Sequence, residues 1–177
     1  MDSISLLREQ LRAAHEYLED TMADVTSEQA QWIPPGKATP IGANYIHLIQ
    51  AEDAIVQQLL QNKDMLGTST WAGRIGATEG QPLPGTTEQD YFAWTRRVQL
   101  DLPQCRQYAQ AVYAASDEYL VTLKPEDLDE VLDLSSVGMA PVTRAWVISR
   151  YLIGHADNIC GETSTMKGLQ GARGYAE

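Results

Sequence analysis

The stretch Val142–Gly171, VTRAWVISRYLIGHADNICGETSTMKGLQG, starts directly after Pro141 and closes on a glycine-spaced tail. Its length and end signals predict one helix of about eight turns. At about 100° per residue from His155, the side chains of Ile148, Tyr151, Ile159, Glu162, Met166 and Leu169 all fall within roughly 40° of that histidine. A histidine and a carboxylate therefore share a stripe that is otherwise apolar. Burying either without a partner costs on the order of a few kcal/mol. Each needs the other, a distant partner, water or a metal ion. A second apolar strip, Trp146 and Ile153 with Cys160 beside them, lies on the opposite side. A helix apolar on two sides is either wholly buried or at a subunit contact, and a bundle covers one side, so a homodimer is expected.

Three further helices precede this one. Ile4 to about Val25 repeats Leu7, Leu11, Ala14, Leu18 and Met22 at three- and four-residue steps, with Ser3 as the expected cap. His15 lies beside Leu11 and Leu18 and reads as a packed or edge residue rather than a ligand. TSEQAQW allows one helical turn, and helix two then starts at Thr39-Pro40 and runs to about Gln61. Its apolar arc includes Tyr45, Leu48, Ile49, Ile55, Val56 and Leu59, with Glu52 in the middle. His47 lies about 80° or more from most of that arc, on a strip of small residues with Ala43, Ala51 and Ala54. Residues 62–86 form a long connection, read as a short helix with either a lid or a surface crossover.

Helix three opens near Thr87 and is interrupted at Asp101-Leu102-Pro103-Gln104, by a kink or by a new capped start, before running to about Leu123. Residues 126–140 carry a short turn, a flexible SSVGM segment and a brief extended piece. Two short connections around one long one predict an all-α, antiparallel up-and-down four-helix bundle, a single domain over residues 1–177.

Thirteen basic residues against 24 acidic ones give a formal charge of −11, which argues against nucleic acid and against an anionic membrane surface. No apolar run reaches the roughly 18 residues of a membrane helix. Two cysteines without a Cys-x-x-Cys pair, and no signal-like start, predict a reduced, cytoplasmic protein. Cys160 lies about 140° from His155, so one helix cannot aim both at a substrate and the thiol reads as packed.

HADNICGET, His155 to Thr163, resembles the last-helix motif of the DinB-like (YfiT-related) four-helix bundle proteins, His-x-x-x-His-x-Gly-Glu/Gln. Trp32, Pro34 and Pro35 before helix two and Pro125 to Leu128 after helix three extend the likeness over most of the chain. The resemblance implies three histidines binding a divalent metal with one exchangeable position, and activities on small molecules that include thiol transfer. His155 takes the first histidine of the motif, Gly161 the glycine, Glu162 the acid, and His47 the histidine of helix two. The second histidine of the motif falls on Ile159, which cannot bind a metal.

A metal (Zn, Ni, Mn or Fe) is then weakened or absent unless another donor fills in. Glu162 shares the wheel position of His155 but stands about 10 Å along the axis. Glu52 is the alternative carboxylate. Two expectations follow: a divergent protein with a degraded metal site that binds a small molecule or a partner, or a metal-dependent transferase or hydrolase using His47, His155 and Glu162 on a small molecule such as a thiol.

Overall fold

The computed structural model describes residues 2–83, 85–135 and 138–175, and these are mostly helical. Helix α1 (Ser3–Met22) is capped by Asp2, whose carboxylate accepts the Ser5 N–H at 2.8 Å, so Ser3 is already helical rather than the cap. The expected single turn is α2 (Ser27–Gln31), closed by a reciprocal Thr26–Gln29 capping box. Helix α3 (Ile41–Asp53) starts behind Pro40, one residue later than expected, and continues through a π-helical segment, Ala54–Leu59.

Thr87 caps α4 (Glu88–Arg97), and Asp101 caps α5 (Leu102–Thr122) by accepting the Gln104 N–H at 3.1 Å. The interruption before Pro103 is thus a new helix and not a kink, with Leu100 bridged to Ala77. The brief extended piece is β1 (Val131–Leu132), paired antiparallel with β2 (Val142–Thr143). Ser136 and Val137, within the stretch read as flexible, lie outside the described residues.

The last helix is one helical path in three parts: α6 (Arg144–Val147), π-helical Ile148–Ile153 and α7 (Gly154–Leu169). Ile148, Ile159 and Met166 are buried as the stripe requires, while Leu169, at the final helical position and past the core, is 61% exposed. Cys160, assigned to the second apolar strip, is covered by α1: its thiol lies 3.4 Å from Thr21 Oγ1. That side of the helix is occupied by this chain's own α1, which removes most of the argument for a subunit contact there.

Residue pairs give the directions of the four long helices. Along α1 and α7 the partners advance together: Thr21 meets Cys160, and Lys167 Nζ donates to Asp24 at 2.5 Å. Between α1 and α5 they run in opposition, Arg8 with Asp117 and the Met22 carbonyl with Arg106. Between α3 and α7 they also oppose, Asn44 with Glu162 and His47 with His155. So α1 and α7 run one way, and α3 and α5 the other. The strictly alternating order expected from loop lengths is not what these pairs give. The reason is the connection from Asn62 to Leu100, long enough to carry the chain back so that α5 begins near the end where α3 began.

That connection is fastened to the helices. Asp53, buried, accepts the N–H groups of Leu66 (3.0 Å) and Gly67 (2.8 Å) and the Tyr108 hydroxyl (2.6 Å). Gly67 must be glycine for this, since a β-carbon there would lie 2.7 Å from the Tyr108 oxygen. Farther on, the Gln81 N–H donates to Gln50 Oε1 at 2.7 Å.

The apolar core falls into two clusters, one around Leu18, Tyr45, Leu48, Trp94 and Tyr108, the other around Leu11, Val56, Leu120, Ile148 and Leu152. On α1, α3 and α5 the residues at the boundary between the clusters are polar: His15, Glu52 and Ser116, all buried.

Replacing Asp53 by alanine leaves three donors without an acceptor and is expected to cost about 3 kcal/mol of stability. Chemical denaturation measures the loss, and hydrogen exchange should quicken at Leu66 and Gly67 more than in α1. A loss under about 1 kcal/mol with unchanged exchange would show that the connection is held by other contacts.

Candidate functional site

His47 comes from the middle of α3 and His155 from the first turn of α7, directly after the π-helical segment. Their rings meet edge to face, with centroids 5.1 Å apart and planes at 72°. His47 Nδ1 lies 2.7 Å from Gln81 Oε1; the amide oxygen can only accept, so Nδ1 carries the proton and Nε2 the lone pair of the neutral ring. Tyr91 of α4 adds a third ring, edge-on to His47 at 5.6 Å.

Burial lowers the pKa of both imidazoles. His155 falls to about 4, first through desolvation and then through the neighbouring His47. His47 is also lowered by desolvation, opposed by its bond to Gln81 and by the Glu162 charge. Both rings are therefore neutral near pH 7. Burial and Glu162 push the Tyr91 phenol up to about 12.

The two carboxylates proposed from sequence are placed differently. Glu162 accepts from Asn44 Nδ2 at 2.6 Å, one turn before His47. It is exposed, so the supposed cost of burying it on an apolar stripe does not arise. Glu162 opens on a separate hollow lined by Lys37, Thr39 and Asp157. Glu52 is 1% exposed, and both its oxygens are taken: His15 Nε2 at 2.9 Å and Ser116 Oγ at 2.5 Å. His15, stacked on Tyr113 at 3.8 Å, is a packed residue that ties α1 to α3. Ile159, one turn from His155, is 5% exposed and brings only hydrocarbon to the site. Among the described residues, no three His, Cys, Asp or Glu side chains form a group able to hold a metal ion. The donor set at the histidine pair, two imidazoles and an isoleucine, does not fit a three-ligand metal centre.

Beside the pair lies a cavity of about 670 Å³, lined by His47, Gln81 and His155 and by apolar groups including Ala54, Ile55, Leu59, Leu134, Met139 and Tyr151. Its walls come from both π-helical segments. At each, a backbone N–H reaches back five residues, Leu60 to Ile55 and Gly154 to Ser149. A π turn widens the helix and shifts the register of the side chains beyond it. Side chains supply donors at the altered turns: Ser149 Oγ to the Ala145 carbonyl at 2.8 Å, and Gln61 Nε2 to the Val56 carbonyl at 3.1 Å. No proline marks either segment, and an α-helical wheel passes straight through them. Gln81 was equally hidden, since nothing in a glycine- and proline-rich connection indicates which residue returns to a helix face.

Cys160 is a packed thiol, as expected; its Sγ donates to the Tyr17 carbonyl at 3.6 Å, and burial raises its pKa. Cys105 is buried too, and both cysteines are free. Among the described residues no helix is long and apolar enough to cross a membrane.

The sequence matches the family model described as the DinB superfamily over residues 10–156. A crystal structure described as the conserved protein of locus from Enterococcus faecalis is similar in fold, with a TM-score of 0.78 and 22% identity. The likeness covers 96% of this chain and 97% of that one. No curated protein matches the sequence.

The histidine pair makes stability depend on pH. The folded pKa of His155, about 4, lies below its ordinary value of 6.5, so the unfolded chain takes up the proton first. The contribution is complete at neutral pH and is lost as pH falls from about 6.5 towards 4. Between pH 7 and 5 the melting temperature should drop by roughly 2–6 °C on this account, for about 1–2 kcal/mol. His155→Gln should flatten that drop; parallel pH profiles for the two proteins would contradict the assignment.

Proposed function

This chain belongs to the DinB superfamily, and we propose that it is a divergent member, its metal site degraded, that binds a small molecule in the cavity beside His47 and His155. The observation that carries this reading is Ile159, buried at the position where the resemblance expects a third metal-binding histidine. The neighbouring cavity supports a ligand role, because its size and mixed lining suit a small organic molecule. In this reading the whole chain is one DinB-like domain, a four-helix bundle, in a reducing compartment such as the cytoplasm. A homodimer would draw on Trp146, which is 39% exposed at the start of the last helix.

A second reading is a divalent-metal-dependent enzyme acting on a small molecule such as a thiol, with Zn, Ni, Mn or Fe held by His47, His155 and Glu162. One observation favours it: the two imidazoles stand together and are held neutral, the form in which histidine binds a metal. Against it, Glu162 is engaged by Asn44, and Glu52 by His15 and Ser116.

Elemental analysis of protein purified without a histidine tag, together with His47→Ala, separates the two. The proposed reading expects well under one equivalent of metal in either protein. It also expects Ile159→His to raise Ni²⁺ or Zn²⁺ affinity at least about tenfold, because the variant restores a third imidazole one turn from His155. Near-stoichiometric metal in the natural protein that disappears in His47→Ala would overturn it in favour of the enzyme.

A further inference from the structure

We propose that the cavity beside the histidine pair takes an amphipathic organic anion, an aliphatic chain ending in a carboxylate, with Arg150 at its mouth binding the charged end. This deepens the small-molecule reading above and rests on it.

The argument begins from charge. The chain carries 24 acidic residues against 13 basic ones, yet among the described residues no aspartate or glutamate lines this cavity. Two other hollows follow the composition. One between α1 and α5 is lined by Glu16, Glu19, Asp20 and Asp117, and the one at Glu162 also has Asp157. The carboxylates nearest the histidine pair are engaged elsewhere, Glu52 with His15 and Ser116 and Glu162 with Asn44. Among the described residues Arg150 is the one Asp, Glu, Lys or Arg in the lining.

Arg150 is available. Arg8, Arg97 and Arg144 are each paired with a carboxylate, on Asp117, Glu79 and Glu130. Among the described residues Arg150 has no such partner. It belongs to the π-helical segment, and its Nη1 lies 3.6 Å from the point where a Gly154 β-carbon would stand. The guanidinium thus reaches forward along the last helix, over Gly154, which has no side chain to crowd it. Its charge reaches His155, where it helps keep the imidazole neutral.

The rest of the wall decides the remainder of the ligand. Ile55, Leu59, Leu134, Met139 and the Tyr151 ring present hydrocarbon, which favours a chain of methylenes over a sugar or a nucleotide. A guanidinium holds a carboxylate through paired N–H donors, and Asn158 and His155 supply further polar atoms at the same wall. Burying the chain supplies affinity, and the arginine selects the charged head.

Calorimetric titration with decanoate and with its uncharged counterpart decanamide tests this, on the natural protein and on Arg150→Gln. Arg150 is exposed, so the variant keeps the core, and circular dichroism checks that it does. The proposal expects decanoate to bind at least about tenfold more tightly than decanamide, and Arg150→Gln to remove that preference while leaving decanamide unchanged. Equal binding of the two probes would overturn the anion assignment and leave the cavity as a small-molecule site. No binding of either would overturn the cavity reading as well. Preference for decanoate that survives in Arg150→Gln would overturn the role of Arg150.

Discussion

The carboxylate of Glu52 is the group on which the packing of the helices most depends. It is buried almost completely, and a carboxylate at that depth is tolerable only when both oxygens are bonded. His15 of α1 and Ser116 of α5 meet that need, one at each oxygen. Three helices are thereby held in register by one side chain, at the boundary between two apolar clusters. Glu19 repeats the device nearby, accepting the hydroxyls of Tyr45 at 2.8 Å and Tyr113 at 3.0 Å. Apolar packing alone tolerates a helix sliding by a turn. A chain of buried hydrogen bonds does not, because each slip strands a charged or polar group.

The fourth long helix is secured differently. It meets α1 through Cys160 and through Lys167, whose Nζ reaches the Thr21 carbonyl at 2.8 Å. It meets α3 through the histidine pair and the Asn44–Glu162 bond. Both π-helical segments contribute to the cavity lining, Ile55 and Leu59 from one and Arg150 and Tyr151 from the other. His47 and His155 stand in the wall of the same cavity. The polar layer and the cavity are thus two sides of one arrangement: Glu52 faces inward to α1 and α5, while His47 and Ala51 on the same helix face the last helix.

This geometry separates two kinds of histidine that look alike in a sequence. His15 is a structural base, spent on Glu52. His47 and His155 are held beside an open space, and burial keeps them neutral without consuming both nitrogens. The replacement of a third donor by Ile159 leaves a site with hydrocarbon on one wall and imidazole on the other. Among the described residues the cavity lining holds no carboxylate, and Arg150 at its rim has no carboxylate partner, which is the basis of the anion proposal.

Much of this was legible from residue order alone. Periodic leucines, capping signals at Thr87 and Asp101, and prolines at the helix starts mark the helices, because such signals act within a few residues of chain. The pairing of His47 with His155 was legible only through a resemblance, since a helical wheel put His47 on a strip of alanines away from the main apolar arc. Both descriptions hold, because that strip is the face α3 turns to the last helix. Tertiary structure alone decided the rest: that α5 runs with α3, that Glu52 belongs to His15, that Gln81 returns to His47, and that both helices widen into π turns. Each depends on contacts between residues dozens of positions apart, where burial and hydrogen-bond satisfaction choose among partners that local pattern leaves equivalent.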